Sequence, residues 1–454
     1  MGLLKACLRA AACLRVACLR VAHRQARRQA QHRQAKPSTA IAVFLSFVMH
    51  NFCLLLRKVI DSVQIFQNRK HKEMRKNILV LGAGRVGGAI ALDLAGTHNV
   101  TIADISEKAL QKVLLLNPNS GRLLFDGGNL ERLKSTSESF DLIVNALPGF
   151  IGFSALKNCI ECGKDVVDIS FFPENPFDLH ALAQEKGVKA VVDCGIAPGL
   201  SNMIAGYHFA TMDVRDFVCY VGGLPEKTDG TDDYKAPFSP DDVIEEYMRD
   251  ARFIRGGMIV RKPALSDVEL VDFDTLGALE AFNTDGLRTL LQTLHIPNMV
   301  EKTLRHPGHA DRMQFLRDFG FFDDKFNTER SVIFPKSHTA ELLKRKWRPT
   351  LHEKEFTVMR VEVVGTENRK KTRYTYTIYD AGDEKTNTSS MARTTGYTAT
   401  AVARLLLNGW IKNNGIIAPE CLPMEKNGKF IFQTILDDLR RAGISIQIKK
   451  TTID

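Results

Sequence analysis

The stretch from Asn77 to Asp104 leaves this chain few ways to fold. NILVL (Asn77 to Leu81) is a short apolar run of strand character, and Gly82-Ala-Gly84-Arg-Val-Gly87 follows it without a spacer. The glycines open a helical pattern through Ile90 and Leu94, and VTIA (Val100 to Ala103) then reads as a second strand ending on Asp104. A glycine fingerprint alone is weak. Set between a strand and a helix, with an acid 22 residues after its first glycine, it predicts the phosphate-binding turn of a Rossmann unit. Gly82 permits the tight turn, Gly84 lets backbone N–H groups of the turn through Val86 approach a pyrophosphate, and Gly87 allows close packing of helix on strand. The helix N-terminus adds partial positive charge. Asp104 suits two ribose hydroxyls and repels a 2′-phosphate, so NAD is favoured over NADP; Arg85, in reach of an adenosine phosphate, keeps NADP open.

Four later runs continue the alternation: RLLFD (Arg122 to Asp126), DLIVNAL (Asp141 to Leu147), DVVDI (Asp165 to Ile169) and KAVVD (Lys189 to Asp193). The expected fold class is therefore α/β, with a six-strand parallel sheet. Ligands of such sheets sit beyond the carboxyl ends of the strands, which directs Asn145, Pro148, Asp168, Ser170 and Asp193 toward a bound dinucleotide. Cys159 and Cys162 fall in a helical segment and read as small packing residues rather than a redox pair. After Pro198-Gly199 a helix over Leu200 to Met212 leads into alternating segments, DFVCYVGG, VELVDF, TVMRVEVVG and RYTYTIYD, which predict an α+β substrate domain. A helix over Met391 to Gly409 is expected to return to the Rossmann unit, followed by a helix over Phe430 to Arg441 and a last strand, ISIQI. The resulting division is 1–73, 74–200, 201–390 and 391–454.

Charge excludes one class of partner. The net charge of +10 is concentrated in residues 1–73, which hold 14 Lys and Arg against Asp61 and Glu73. The remaining chain has 48 basic and 50 acidic side chains, so it is not a nucleic-acid binder on electrostatic grounds. Residues 1–36 repeat ACLRA-like units and then an Arg/Gln/Ala/His run, without the makings of a core. Residues 40–56 form an apolar stretch of 17, at the short limit for crossing a bilayer. Three readings remain: a mitochondrial presequence, a membrane anchor, or an extension outside the mature protein. The third is preferred, because Met74 stands just before the opening strand. Cytoplasm is then the expected compartment, the mitochondrion if the leader is a presequence, and membrane contact is expected only if 40–56 is retained.

The glycine turn, CGIAPGLSNMIAGY (Cys194 to Tyr207), FDTLGALEAFNTDG (Phe273 to Gly286), TLRHPGHADRM (Thr303 to Met313) and MARTTGYTATAVARLL (Met391 to Leu406) together resemble the saccharopine dehydrogenase-like family, and within it the lysine 6-dehydrogenases. DISFFPENP, following Asp165-Val-Val, departs from the glycine-rich motif associated with that subgroup. The resemblance implies an NAD(P)-dependent oxidoreductase acting on CH–NH2 or CH–NH donors, a mixed sheet in the α+β domain, and commonly a homodimer formed through that domain. Oxidation of the lysine side-chain amine to a semialdehyde with release of ammonia is the leading reading; a saccharopine dehydrogenase-type reaction is the nearest alternative. A non-catalytic dinucleotide-binding sensor or scaffold is the alternative of another class. An alkylammonium must lose a proton before its carbon gives up a hydride, which calls for a base in a water-poor site. Asp168 is the first candidate, His309 the second, and Glu280 is a candidate for pairing with the ammonium. A substrate carboxylate calls for a guanidinium, from Arg305, Arg312 or Arg393. No motif suggests a metal.

Overall fold

The first strands are apolar at nearly every position. Ile78 to Leu81, Leu142 to Val144, Val166 and Val167 are fully buried, and strands apolar on both faces require cover on both, the condition of a parallel sheet between helices. The computed structural model, which describes residues 75–227, 234–236, 240–327, 331–348 and 353–453, has that arrangement. The expectations for residues 1–73, including the apolar stretch 40–56, lie outside the described residues. No helix among the described residues is long and apolar enough to cross a membrane.

Strands β1 (Asn77–Leu81), β2 (Asn99–Asp104), β3 (Gly121–Leu124), β4 (Leu142–Asn145), β5 (Asp165–Asp168) and β6 (Lys189–Val191) form a parallel sheet in the order 3-2-1-4-5-6. The expected six strands become seven. Gly415–Ile417 adds in parallel to β6, a three-residue strand whose partner is remote in sequence, so no local pattern announces it. Several expected strands also end early: Asp126, Leu147, Ile169 and Asp193 lie past the ladder, in loops at the carboxyl edge.

The second sheet is mixed. It comprises β7 (Asp213–Pro225), β8 (Ala251–Arg255), β9 (Met258–Lys262), β10 (Glu269–Asp272), β11 (Ala278–Asn283) and β12 (Asn298–Arg305); a two-residue ladder, β13 (Phe326–Asn327) with β14 (Val332–Ile333), stands apart. The long hairpin β15 (Glu355–Glu367) and β16 (Lys370–Asp380) completes it, giving the order 10-11-12-7-15-16, with Ser445–Thr452 on the outer edge of β16 and β8–β9 attached to β12. Strands β12 and β7 run parallel, and their neighbours are antiparallel. At the β15–β16 turn Asn368 and Arg369 both adopt positive φ, 51° and 64°, the backbone of a two-residue hairpin turn whose twist matches the strands. Gly256 and Gly257 do the same between β8 and β9.

Helix Ser390–Leu407 joins the two sheets. Its Gly396 faces Ile90 and Ala89 of helix Arg85–Ala95, and Arg404 pairs with Asp93 at 2.7 Å. One apolar core therefore runs from Ile78 and Val144 through Ala399 and Val402 to Phe217, Val361 and Ile378 on the mixed sheet. The final strand joins the mixed sheet, so the C-terminal segment serves both layers.

Candidate active site

At the carboxyl edge of the parallel sheet a cavity of about 740 Å³ begins at the glycine turn and ends against the mixed sheet. Each glycine has its own steric reason. A Cβ on Gly87 would lie 2.0 Å from the Gly82 carbonyl oxygen, and one on Gly82, where φ is 102°, would lie 2.5 Å from the Ala146 oxygen. A Cβ on Gly84 meets nothing within 4 Å, so that position faces open cavity. Gly84 is also the N-cap of helix Arg85–Ala95 and supplies no side-chain acceptor. The first N–H groups of the helix are left for an anion, as a dinucleotide pyrophosphate requires. Asp104 closes the far end of this half. Its two oxygens accept from Ala83 N and Ser106 N, each at 2.7 Å, which fixes the carboxylate while leaving lone pairs for hydroxyl donors. The residues present thus fit a nicotinamide dinucleotide.

Gly82, Gly84, Arg85, Val86, Gly87, Asp104 and Pro148 all line the cavity. Arg85 lines it with one nitrogen engaged: Nη1 donates to the Ala236 carbonyl of the second domain. Asn145 and Asp168 are not in the lining. Asn145 Nδ2 donates to Asp168 Oδ2 at 2.5 Å, and Ser170 N donates to Oδ1 at 2.9 Å, with both side chains fully buried. Burial holds the Asp168 carboxyl well above the usual carboxylate range. Asp168 therefore braces the crossing from β4 to β5 beneath the floor, and Ser170, two residues on, is the group that reaches the surface of the cavity.

The opposite end is built from side chains. Strand β12 directs alternate residues, Glu301, Thr303 and Arg305, to the cavity, as the two-residue period of a strand demands. Arg305 is buried, pairs with Glu246 at 3.3 Å, and lies 4.2 Å above the Tyr234 ring. Asp242, Glu246 and Arg249 reach the cavity from helix Pro240–Met248 and the residue just beyond it, at positions four and three apart that share one helical face. Thr303 and Thr284 hydroxyls meet at 2.8 Å, and Asp285 is gripped by Arg252 through two bonds of 2.8 and 2.7 Å. Asp193, also in the lining, holds Arg288 behind the wall at 3.0 Å. Glu301 differs from these acids. It is 5% exposed, and its Oε2 has no hydrogen-bond partner. Burial, reinforced by Glu246, Asp285 and Asp193, pushes its carboxyl up to about 8.

Of the six expected catalytic and substrate-binding residues, the structure brings only Arg305 into the cavity. His309 is fully buried behind it, its Nε2 bonded to Tyr247 OH at 2.9 Å. Glu280 lies directly across the ladder from Arg305 but accepts from Gly308 N and Ala310 N at 2.8 and 2.6 Å. It anchors the start of helix His309–Asp318, where a carboxylate satisfies free N–H groups. Arg312 lies against Gly308, outside the lining. Arg393 ties the long hairpin to the C-terminal segment, with Asp380 at 2.9 Å and the Ala442 carbonyl at 2.7 Å. Glu301, Glu246, Arg249 and Tyr234 were not expected. For Glu301 the available signal was the alternation EKTLR, which puts it on the same face as Arg305.

Sequence comparison matches residues 78–191 to the saccharopine dehydrogenase NADP binding domain and residues 195–444 to the saccharopine dehydrogenase C-terminal domain. The second match alone spans more than half of the chain. The chain belongs to the saccharopine dehydrogenase family. Among relatives, mitochondrial alpha-aminoadipic semialdehyde synthase of Mus musculus is 28% identical over 257 residues, 52% of this chain and 27% of the mouse protein. The L-glutamate-forming, NADP-dependent saccharopine dehydrogenase of Pyricularia oryzae is 25% identical over 285 residues, 59% of this chain and 63% of its own length. This family member thus spans about a quarter of the mouse relative and under two thirds of the fungal one. The apo saccharopine dehydrogenase (L-Glu forming) of Saccharomyces cerevisiae has the same fold: the TM-score is 0.66 at 19% identity, covering 83% of this chain and all of the yeast chain. The cavity lies where the two family domains meet, with its glycine turn in the first and β12 in the second.

Proposed function

We propose that this chain is an NAD(P)-dependent oxidoreductase acting on the C–N bond of an amino acid in lysine metabolism, with oxidation of the lysine side-chain amine as the leading reaction. The observation that carries the reading is the continuity of the cavity from the glycine turn to Glu301, Thr303 and Arg305. A dinucleotide held at the turn supplies the hydride acceptor. The protein's part is to present an amine next to it and keep water out. The apolar strip formed by Ile196, Met391 and Ile169 serves the second purpose, and a low local dielectric strengthens every charge contact at the far end. Arg249, at the cavity wall with Glu245 at 3.5 Å, is the guanidinium best placed to receive an α-carboxylate.

The lysine reading is favoured by the charge of that end. The guanidinium of Arg305 is already paired with Glu246, and acids outnumber arginines in the lining, which suits a substrate bearing two ammonium groups and one carboxylate. The saccharopine reading rests on a second observation besides the names of the relatives. A smaller polar pocket adjoins the first, sharing Arg249 and Asp285 and adding Asp250, Arg252 and Arg261; with Arg252 held by Asp285, Arg249 and Arg261 are the guanidinium groups it offers to a dicarboxylate arm. Asp104 supports NAD, although the matching domain is described as NADP binding. The compartment follows the leader, mitochondrial if residues 1–73 act as a presequence and cytoplasmic otherwise; the homodimer is checked by light scattering. One assay separates the catalytic readings: absorbance of reduced dinucleotide with L-lysine or saccharopine, each with NAD or NADP. Turnover of lysine supports the leading reaction and turnover of saccharopine alone the second; dinucleotide binding with neither amine consumed leaves a sensor or scaffold.

A further inference from the structure

Every other buried acid near the cavity has its charge or its lone pairs engaged. Glu246 has Arg305, Asp193 has Arg288, Asp285 has Arg252, and Glu280 has the helix start at Gly308. Glu301 is the exception, with Oε2 unpartnered in a side chain that lines the cavity. An unpaired buried carboxyl is costly, and the fold has made room for this one. A Cβ on Gly286 would sit 1.7 Å from Glu301 Oε1, so the carboxyl occupies space that only glycine leaves free. On the same strand face, Thr303 and Arg305 border the cavity.

We propose that Glu301 is a catalytic residue that receives the substrate ammonium and accepts the proton the amine must lose. The assignment rests on the amine-oxidising function argued above. In the step, one N–H bond of the ammonium breaks and an O–H bond forms at a carboxylate oxygen of Glu301; the nitrogen keeps the electron pair, and no other bond changes. The surroundings suit the task. Burial, then Glu246 from helix Pro240–Met248, Asp285 beyond β11 and Asp193 beyond β6 disfavour a negative charge on Glu301, and Arg288 is the cation that opposes them; Cys219, opposite on β7, is a buried thiol that stays neutral. The carboxyl therefore keeps its proton up to about pH 8, close to the range in which a base for an alkylammonium is most effective. An arriving ammonium supplies the positive charge that the site lacks.

The test compares wild type with Glu301→Gln across a range from about pH 6 to about pH 10. The expected result is a loss of kcat/KM for the active amine of about 100-fold or more, disappearance of the acid limb near pH 8, and unchanged fluorescence titration by the reduced dinucleotide. Calorimetry in buffers of different ionisation enthalpy adds a readout independent of turnover: proton exchange on amine binding is present in wild type and absent in the variant. Gly286→Ala, which keeps the carboxyl and displaces it, is expected to lose rate while retaining dinucleotide binding. A Glu301→Gln enzyme within about threefold of wild type with its acid limb intact overturns the assignment, as does a parallel loss of amine turnover and dinucleotide affinity. Wild-type protein that binds dinucleotide yet consumes neither lysine nor saccharopine overturns the functional reading itself, a distinct result.

Discussion

The two ends of the cavity are made of different materials. The dinucleotide end is backbone: three glycines, a helix start without a side-chain cap, and one carboxylate fixed by two N–H groups. The amine end is side chain, with Glu246, Glu301 and Arg305 buried or nearly so and set against one another across two elements, helix Pro240–Met248 and β12. The first end holds a ligand common to many reactions and needs only a fixed shape. Under the proposed function the second must distinguish one amine from another, and charges in a low dielectric do that at the cost of coupling every residue to its neighbours. Substitutions in the first end should therefore act on dinucleotide binding as a steric matter, and those in the second on substrate and proton.

The largest effect is expected from Gly87→Val. Its Cβ cannot be accommodated 2.0 Å from the Gly82 oxygen, so the turn must open. The clash is with backbone, which no rotamer change relieves, and dinucleotide affinity should fall below detection in a fluorescence titration. A variant that still binds reduced dinucleotide with near-native affinity would break the view that this end is set by shape. Next in size is Arg305→Ala, which strips Glu246 of its cation in a buried setting, a change worth about 3–5 kcal/mol when a buried pair is broken. The KM for the amine substrate should rise by far more than the dissociation constant of the dinucleotide; equal changes would show that the two ends are not separable. Asp104→Asn should have the smallest effect, weakening NAD by about tenfold through the loss of a charged acceptor while improving NADP. If the two cofactors respond alike, Asp104 holds the loop through Ala83 and Ser106 and does not select the ribose.

The same division explains how far the sequence could be read. The Rossmann strands were legible because a parallel sheet buried on both faces demands unbroken apolar runs, and the turn was legible because its constraints are steric and local to Gly82, Gly84 and Gly87. The helix over Ser390–Leu407 announced itself by its apolar face. Strand Gly415–Ile417 did not, since three residues carry no period, and the Gly256-Gly257 hairpin was passed over although its glycine pair was there to be read. At the amine end, family motifs drew attention to charged residues and could not say which charges were already spent. Glu280 is held by a helix start, Arg393 by Asp380 and Asp168 by Asn145, and each of those partnerships is made in three dimensions.

What the sequence by itself determined is the dinucleotide half: a parallel α/β sheet, a glycine turn at its edge, and an acid at the end of the second strand, all separated by a few tens of residues and governed by local sterics. Only the tertiary structure decided the amine half. It placed Glu301 beside Gly286 and Arg305 beside Glu246, pairs brought together by helix Pro240–Met248, β12 and the loop after β11. A buried charge acquires its meaning from whichever group lies against it, and that neighbour is chosen by the packing of distant segments.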